Sequence, residues 1–185
     1  MVDDALKQAE QKMQKAIEVA REEFGGVRTG RASPQLLQRI SVDYYGSQTP
    51  MQQLASFSVP EPRMLVIHPY DRNAMTMIER AIMASDLGLN PSNDGTVIRL
   101  SFPQLTEERR KELIKVVRDR AEHGRVAVRN VRRHIKEEID RDIKGGKVSE
   151  DQGHRAEKEL QKLTDHYVEE IDQMLGRKEA ELMEV

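Results

Sequence analysis

Residues 117–139 read VRDRAEHGRVAVRNVRRHIKEEI, and this stretch decides how the chain folds. Its apolar residues recur every three or four positions, which is the period of a helix with one buried face. They are Val117, Ala121, Val128, Val131, Ile135 and Ile139. A second set recurs at the same period about a quarter turn away. This set, called the basic row below, consists of Arg118, Arg125, Arg129, Arg132 and Lys136. The stretch therefore predicts a long helix that packs on one face and carries a line of positive charge beside it.

Two further segments have the same period and predict two more long helices. Residues 2–28 form an amphipathic pattern about 40 Å long that ends at a cluster of glycines. The helix of the basic row begins after Thr106, a suitable N-cap, and ends at Gly145-Gly146. The run Ser149-Glu-Asp-Gln152 is a capping box that opens a third helix. Because a helix with one narrow apolar face is marginal alone, the three helices are expected to form a bundle.

The middle of the chain has a different pattern, in which short apolar runs alternate with turn residues. Alternating residues around Val42 lead to a turn at Gly46, and residues 54–59, 64–67 and 96–100 predict further strands. Residues 75–85 predict a short helix. Prolines are expected to separate the strands, and they are Pro50, Pro60, Pro62 and Pro69. The predicted class is α+β, a long three-helix bundle with a small inserted β/α/β domain.

The two predicted domains are joined by two short connections. The bundle takes residues 1–30 and 105–185, and the inserted domain takes residues 31–104. Gly30 gives the first connection backbone freedom, while Pro34 and Pro103 prevent a helix from running through either connection. A pair of short connections allows a hinge motion and limits free rotation.

Composition excludes several classes of protein. The chain has no cysteine, so it forms no disulfide and lacks the commonest soft metal ligand. Its acidic first residues and the lack of a long apolar run predict a soluble, cytoplasmic protein with no membrane partner. Aromatic residues make up 4% of the chain, too few for a base-stacking platform. The net charge of −2 does not indicate nucleic-acid binding, so any such argument depends on how the charges are arranged.

Motifs that carry catalysis or bind metals are weak in this sequence. Residues 25–30 have glycines at the spacing of a phosphate-binding loop, but Arg31-Ala32 replaces the required lysine and hydroxyl residue. His123 and His134 could share a helical face, yet no carboxylate pattern accompanies them. His68 is expected to form a hydrogen bond at a strand end. The sequence predicts no catalytic residues, no metal site and no cofactor, and a protein that is not an enzyme.

The basic row has two interpretations. Charged residues along a helix often do no more than keep one face hydrated. Here, however, basic residues outnumber their acidic neighbours, and arginine is used in preference to lysine, which solubility does not require. The guanidinium group binds phosphate oxygens with two parallel hydrogen bonds, and Asn130 adds another polar group. The arrangement favours binding to a phosphate backbone.

Five segments, in this order, resemble the bacterial ribosome recycling factor family. They are Val27-Arg-Thr-Gly-Arg-Ala-Ser-Pro34, Val42-Asp-Tyr-Tyr-Gly46, Ala84-Ser-Asp-Leu-Gly-Leu-Asn-Pro91, Leu105-Thr-Glu-Glu-Arg-Arg-Lys-Glu-Leu113 and Val128-Arg-Asn-Val-Arg-Arg133. Each segment alone is moderately specific, and the five together at these spacings are very specific. The resemblance extends over essentially the whole chain.

The resemblance implies an L-shaped molecule that binds the large ribosomal subunit after termination. Independently of the resemblance, a long bundle with a closed three-helix core favours a monomer. The resemblance further implies that this protein and elongation factor G, with GTP, split the subunits and release messenger RNA and tRNA. GTP hydrolysis would belong to the partner. The implied contacts to ribosomal RNA come from Arg125, Arg129, Arg132 and Arg133, and more weakly from Arg28 and Arg31. The implied hinge residues are Gly30, Arg31, Gln104 and Leu105.

Two other functions are open on the residues alone. A helical bundle with charged faces can act as an adaptor that binds another protein without RNA, and its binding would be insensitive to salt and to RNase. A hydrolase that uses the inserted domain would show turnover with the purified protein alone.

Overall fold

The computed structural model of the protein describes residues 2–38 and 40–184. The chain divides into two compact units. Unit 1 consists of Met1–Thr29 and Glu107–Val185, and unit 2 is Gly30–Thr106. The chain therefore leaves unit 1 once, forms unit 2, and returns.

The helices and strands follow the chain in this order: α1 (Val2–Gly25), α2 (Gln35–Gln38), β1 (Ser41–Tyr44), β2 (Ser47–Pro50), β3 (Ala55–Glu61), β4 (Met64–Pro69), α3 (Met75–Ala84), β5 (Ser92–Asn93), β6 (Ile98–Ser101), α4 (Glu107–Lys144) and α5 (Glu150–Met183). Single 3₁₀ turns at Met51–Gln53 and Arg72–Ala74 precede β3 and α3. The predicted α+β class, in which long helices are combined with a small domain of strands and a short helix, is confirmed. All paired strands that the structure describes are antiparallel.

Unit 1 is a bundle in which α1, α4 and α5 each pack against the other two. The apolar positions predicted on α4 are buried, except that Val131 is half-buried. Gly124 lies in the same line because the helices approach closely there. A Cβ atom on Gly124 would lie 3.1 Å from Ile171 Cδ1 and 3.4 Å from Ala20 Cβ. The core of the bundle therefore follows the helical period of the sequence and is closely packed where Gly124 of α4 lies against α1 and α5.

The turn between α4 and α5 confirms the predicted capping box. The Ser149 hydroxyl oxygen accepts a hydrogen bond from the Gln152 backbone N–H at 3.3 Å. The Gln152 side-chain oxygen in turn accepts one from the Ser149 backbone N–H at 3.3 Å. Gly146, with φ of +70°, adopts the left-handed conformation that ends many helices. This turn makes α5 run back along α4, so that residues distant in sequence face each other across the two helices.

Unit 2 contains two antiparallel sheets. β1 and β2 form a hairpin through Tyr45 and Gly46, and the other strands are ordered β3-β4-β6-β5. The sequence predicted β1, β3, β4, β6 and α3, but it did not predict β2, β5 or α2. One apolar cluster includes the buried faces of β4, β6 and α3. Its fully buried members include Leu65, Ile67, Ile78, Ile82 and Leu100.

Three prolines lie inside strands, although they were expected to separate strands. Pro50 and Pro69 are the last residues of β2 and β4. Pro60 lies in β3, where the pairing with β4 shifts between Ser58 and Glu61. β3 is also an edge strand. Strand ends, edges and irregularities are the positions where a missing N–H removes no ladder hydrogen bond, so the strands continue through these prolines.

Candidate nucleic-acid interface

The first half of the basic row is paired with acidic residues of α5. Arg118 Nε donates to Glu179 Oε1 at 2.6 Å, and Arg125 Nη2 lies 2.6 Å from Asp172 Oδ1. From the sequence, the whole row was expected to be available to a partner molecule. The structure shows that this part of the row forms ion pairs between two helices of the bundle.

Arg125 forms ion pairs with two carboxylates of its own chain. Its side chain is 20% exposed and also contacts Glu122 at 3.0 Å. Burial acts to lower the pKa of the Arg125 guanidinium, but hydrogen bonds and attraction from Asp172 and Glu122 outweigh it and raise the pKa. Arg125 therefore carries a permanent charge that is already bound by two carboxylates of its own chain.

The second half of the row lies along a groove between α4 and α5, called the basic groove below. Its volume is about 880 Å³. The residues that line it are Arg129, Asn130, Arg132, Arg133, Lys136, His154, Glu157, Lys158, Leu160 and Gln161. Five of these side chains are cationic and one is a carboxylate. The groove thus concentrates positive charge on a chain whose net charge is negative.

The arginines of the basic groove differ in their partners. Arg129 lies 3.3 Å from Glu122 and its side chain is 49% exposed. Arg132 donates to the neutral Gln161 at 3.1 Å. Within the part of the chain that the structure describes, neither Arg132 nor Arg133 forms an ion pair. These guanidinium groups are consequently the ones with most capacity to bind a phosphate oxygen.

The other predicted residues lie elsewhere. Arg28 is an exposed residue of unit 1 beyond the end of α1, and Arg31 is an exposed residue of unit 2. Both have interactions within the chain, and neither lines the basic groove. The structure therefore brings Arg129, Arg132 and Arg133 together in the groove. Arg125 shares the Glu122 carboxylate with Arg129 but does not line the groove, and Arg28 and Arg31 lie away from it.

The predicted hinge residues lie where the chain passes between the units. Gly30 begins unit 2, and its φ of +78° is a left-handed conformation that favours glycine. A Cβ atom on Gly30 would lie 3.1 Å from Leu105 Cγ and 3.6 Å from the Pro103 carbonyl oxygen. The two connections therefore touch each other inside unit 2, and only glycine fits the contact without movement of a neighbour.

The α5 side of the basic groove was not predicted from the sequence. His154, Lys158 and Gln161 are exposed on α5 at spacings of four and three, which puts them on one side of that helix. The signal was available, because these residues flank the apolar line through Ala156 and Leu160. This spacing predicts the second side of the groove only if α4 and α5 are known to pack antiparallel, which the sequence does not specify.

The remaining expectations concern metal sites, His68 and membrane helices. No group of three or more metal-binding side chains occurs among residues 2–38 and 40–184. His68 Nε2 lies 3.1 Å from the Ser58 hydroxyl oxygen, which confirms the predicted hydrogen bond in a strand. None of the helices that the structure describes is long and apolar enough to cross a membrane.

A helical bundle with an arginine-lined groove and an inserted antiparallel-sheet unit defines a candidate phosphate-binding protein of the α+β class. A family model described as "Ribosome recycling factor" matches residues 20–183. The chain belongs to the ribosome recycling factor family.

Curated relatives and solved structures agree with this assignment. The chain is 58% identical over 185 residues to the ribosome-recycling factor of Thermobifida fusca (strain YX), with both chains fully covered. It is 55% identical, also with full coverage of both, to that of Frankia alni (strain DSM 45986 / CECT 9034 / ACN14a). A structure described as "Solution structure of the ribosome recycling factor" shares 47% identity and a TM-score of 0.82, covering all of this chain and 98% of the other.

A second solved structure shows a relative in a larger assembly. It is described as models for a ribosome recycling factor of T. thermophilus and elongation factor G of E. coli bound to the E. coli post-termination complex. The similarity is 44% identity with a TM-score of 0.71, and it covers both chains completely.

Proposed function

We propose that this protein binds the post-termination ribosome and, together with elongation factor G and GTP, splits the subunits and releases messenger RNA and tRNA. Membership of the ribosome recycling factor family carries this proposal. It is supported by the similar chain found with elongation factor G on a post-termination complex. In this proposal the partner hydrolyses GTP, and the protein itself is a non-enzymatic cytoplasmic factor that acts as a monomer.

The ribosomal contact is the basic groove, which binds RNA of the large subunit. Arg129, Arg132 and Arg133 contact phosphates, because their charge is not fully used by carboxylates of the same chain. Each phosphate neutralised releases counterions from the RNA, so binding weakens steeply as salt rises. Arg125 contributes less directly since Asp172 and Glu122 already bind it. Arg28 and Arg31 are secondary contacts outside the groove.

The two units act as domains joined by a hinge. Residues 1–30 and 105–185 form the ribosome-binding domain, and residues 31–104 form the inserted domain. Gly30, Arg31, Gln104 and Leu105 absorb the backbone changes when the inserted domain moves. The contact between Gly30 and Leu105 supports this assignment, because it joins both connections at one point.

Arg132→Ala tests the RNA contact, and Arg118→Ala is its matched control. Both variants remove one arginine from the same row of the same helix, but Arg118 is paired with Glu179 and does not line the groove. Loss of a charge-assisted contact at Arg132 should cost about 1–3 kcal/mol of binding to large ribosomal subunits. That corresponds to an affinity loss of roughly fivefold to 150-fold.

Sedimentation of the protein with purified large subunits at several salt concentrations provides the measurement. Arg118→Ala should change the affinity much less than Arg132→Ala. Equal losses in the two folded variants would remove the basic groove from the proposal. Binding that is insensitive to salt and survives RNase treatment of the partner would instead favour the protein-binding adaptor function.

A further inference from the structure

Four of the five cations of the basic row on α4 have a carboxylate partner, and three of these partners lie on α5. Running from one end of the contact to the other, the paired residues are Arg118 with Glu179, Arg125 with Asp172, and Lys136 with Glu157. Arg129, between them, contacts Glu122 of its own helix. At Arg132 the facing residue of α5 is Gln161, which has no charge. Arg132 is thus the only residue of the basic row without a carboxylate partner among the residues that the structure describes.

Both the oxygen and the nitrogen of the Gln161 side-chain amide form a hydrogen bond. Its side-chain oxygen accepts a hydrogen bond from Arg132 Nη1 at 3.1 Å. Its side-chain nitrogen donates to Asp165 Oδ1 at 2.8 Å, one helical turn further along α5. Since an amide has one acceptor end and one donor end, the bond to Asp165 directs the amide oxygen towards Arg132.

This geometry orients the Arg132 guanidinium without neutralising it. A carboxylate at position 161 would accept the same hydrogen bond but would also cancel most of the charge that a phosphate can use. A neutral acceptor occupies one of the five N–H donors and leaves the others for a ligand. An arginine held in one orientation also loses less side-chain entropy when it binds.

We propose that Gln161, directed by Asp165, is a positioning residue that holds Arg132 ready for a phosphate of ribosomal RNA while leaving its charge available. The inference rests on the proposed function, because it concerns the RNA-binding surface of the same groove. It adds a residue of α5 to a site that the sequence places on α4, and it explains why the series of ion pairs is interrupted at Arg132.

Gln161→Glu is the first test, and Gln173→Glu is its matched control. Both substitutions add one negative charge to an exposed position of α5 and keep the size of the side chain. Residue 173 lies about 18 Å further along the helix. The affinity for purified large ribosomal subunits should fall about tenfold or more for Gln161→Glu, and less than about threefold for Gln173→Glu.

Salt dependence separates two effects of replacing Gln161: the addition of a negative charge and the loss of the hydrogen-bond acceptor. Gln161→Glu should make the slope of log affinity against log salt shallower by about 0.7–0.9, as expected when one phosphate contact is lost. Gln161→Leu removes the acceptor but adds no charge. It should lower the affinity by roughly twofold to fivefold and leave the slope unchanged, because the charge of Arg132 remains while its orientation is lost.

Asp165 tests the orienting hydrogen bond independently. Asp165→Ala and Asp165→Asn both remove the same negative charge, and only asparagine keeps an acceptor for the Gln161 amide. If charge alone mattered, the two variants would bind equally and more tightly than the wild type. The proposal requires Asp165→Asn to bind more tightly than Asp165→Ala.

The outcomes distinguish this inference from the proposed function. If Arg132→Ala binds large subunits as well as the wild type, the RNA contact itself is wrong. If Arg132→Ala is weakened but Gln161→Glu binds like Gln173→Glu, only the positioning role is refuted. Equal affinities of the two Asp165 variants would also refute that role. Thermal unfolding followed by circular dichroism confirms that each variant is folded before binding is compared.

Discussion

Replacing Gly30 with alanine should destabilise unit 2 by two separable effects. The first is the left-handed conformation, with φ of +78°, which costs a residue with a Cβ atom about 1–2 kcal/mol. The second is the contact of that Cβ with Leu105 Cγ at 3.1 Å, which is tighter than an ordinary contact. Overpacking of this kind costs about 1–3 kcal/mol. The expected total is therefore about 2–5 kcal/mol.

Gly46→Ala is the matched control for the backbone effect. Gly46 has φ of +82° in the same unit, and a Cβ there would meet no atom within 4 Å. The loss of unfolding free energy should be larger for Gly30→Ala than for Gly46→Ala by the contact effect alone, about 1–3 kcal/mol. Adding Leu105→Ala to Gly30→Ala should remove most of this excess, and a double-mutant cycle measures how much.

Tyrosine fluorescence during urea unfolding reports mainly on unit 2. The chain has no tryptophan and four tyrosines, and Tyr44, Tyr45 and Tyr70 lie in unit 2. Far-ultraviolet circular dichroism instead reports chiefly the long helices of unit 1. Subunit binding by Gly30→Ala should be unchanged, because every residue that lines the basic groove belongs to unit 1. Equal destabilisation by Gly30→Ala and Gly46→Ala would show that the contact with Leu105 is not restrictive.

Two further perturbations test the packing of α5 and the electrostatics of unit 2. Gly153→Ala should destabilise unit 1 by about 1–3 kcal/mol, because the new Cβ would overlap Ile143. In Gly176→Ala, on the same helix, the new Cβ meets no atom within 4 Å, so this variant should be more stable than the wild type by up to about 1 kcal/mol. Urea unfolding followed by circular dichroism measures both, and two changes of the same sign would contradict the packing. Hydrogen bonds from the Val97 and Thr96 backbone N–H groups, then the Arg99 guanidinium, lower the pKa of Asp94 below its ordinary value of 3.8. The stability that ionised Asp94 contributes is therefore complete above that value and is lost as the pH falls below it. In urea unfolding, the difference in unfolding free energy between the wild type and Asp94→Ala should shrink from about pH 5 to about pH 3. A difference that grew as the pH fell would contradict a lowered pKa of Asp94.

The helical part of the fold could be predicted because burial repeats with the helical period. Ala156, Leu160, Tyr167 and Ile171 have the three- and four-residue spacing, or its multiples, of one helical face, and all four are buried. Thr164 is also buried but was not expected, since its hydroxyl is polar. That hydroxyl donates to the Leu160 carbonyl oxygen at 2.8 Å, so burial leaves it satisfied.

The short elements of unit 2 were harder to predict because they depend on their neighbours. β2 is only four residues long and is mostly polar, and it exists because the turn at Tyr45 and Gly46 pairs it with β1. Pro60 was expected to end a strand, but the shift in pairing at an edge strand accommodates it. Local composition does not show where edges and shifts in pairing will fall.

For a related reason, only the α4 side of the candidate site could be predicted from the sequence. Arg129, Arg132 and Arg133 are close in sequence and share a helix, so their spacing was sufficient to group them. The carboxylates that bind Arg125 and Arg118 are 47 and 61 residues away on α5. Only the antiparallel pairing of the two helices decides which cations are matched and which remain available.

Subunit splitting followed by light scattering tests the central claim most directly. Purified protein would be mixed with vacant ribosomes, elongation factor G and GTP, and each component would be omitted in turn. We expect the scattering to fall only when all three are present, and to fall more slowly with Arg132→Ala than with Arg118→Ala. Stable binding without any splitting, or the same rate of splitting when the protein is left out, would contradict the proposed role in ribosome recycling.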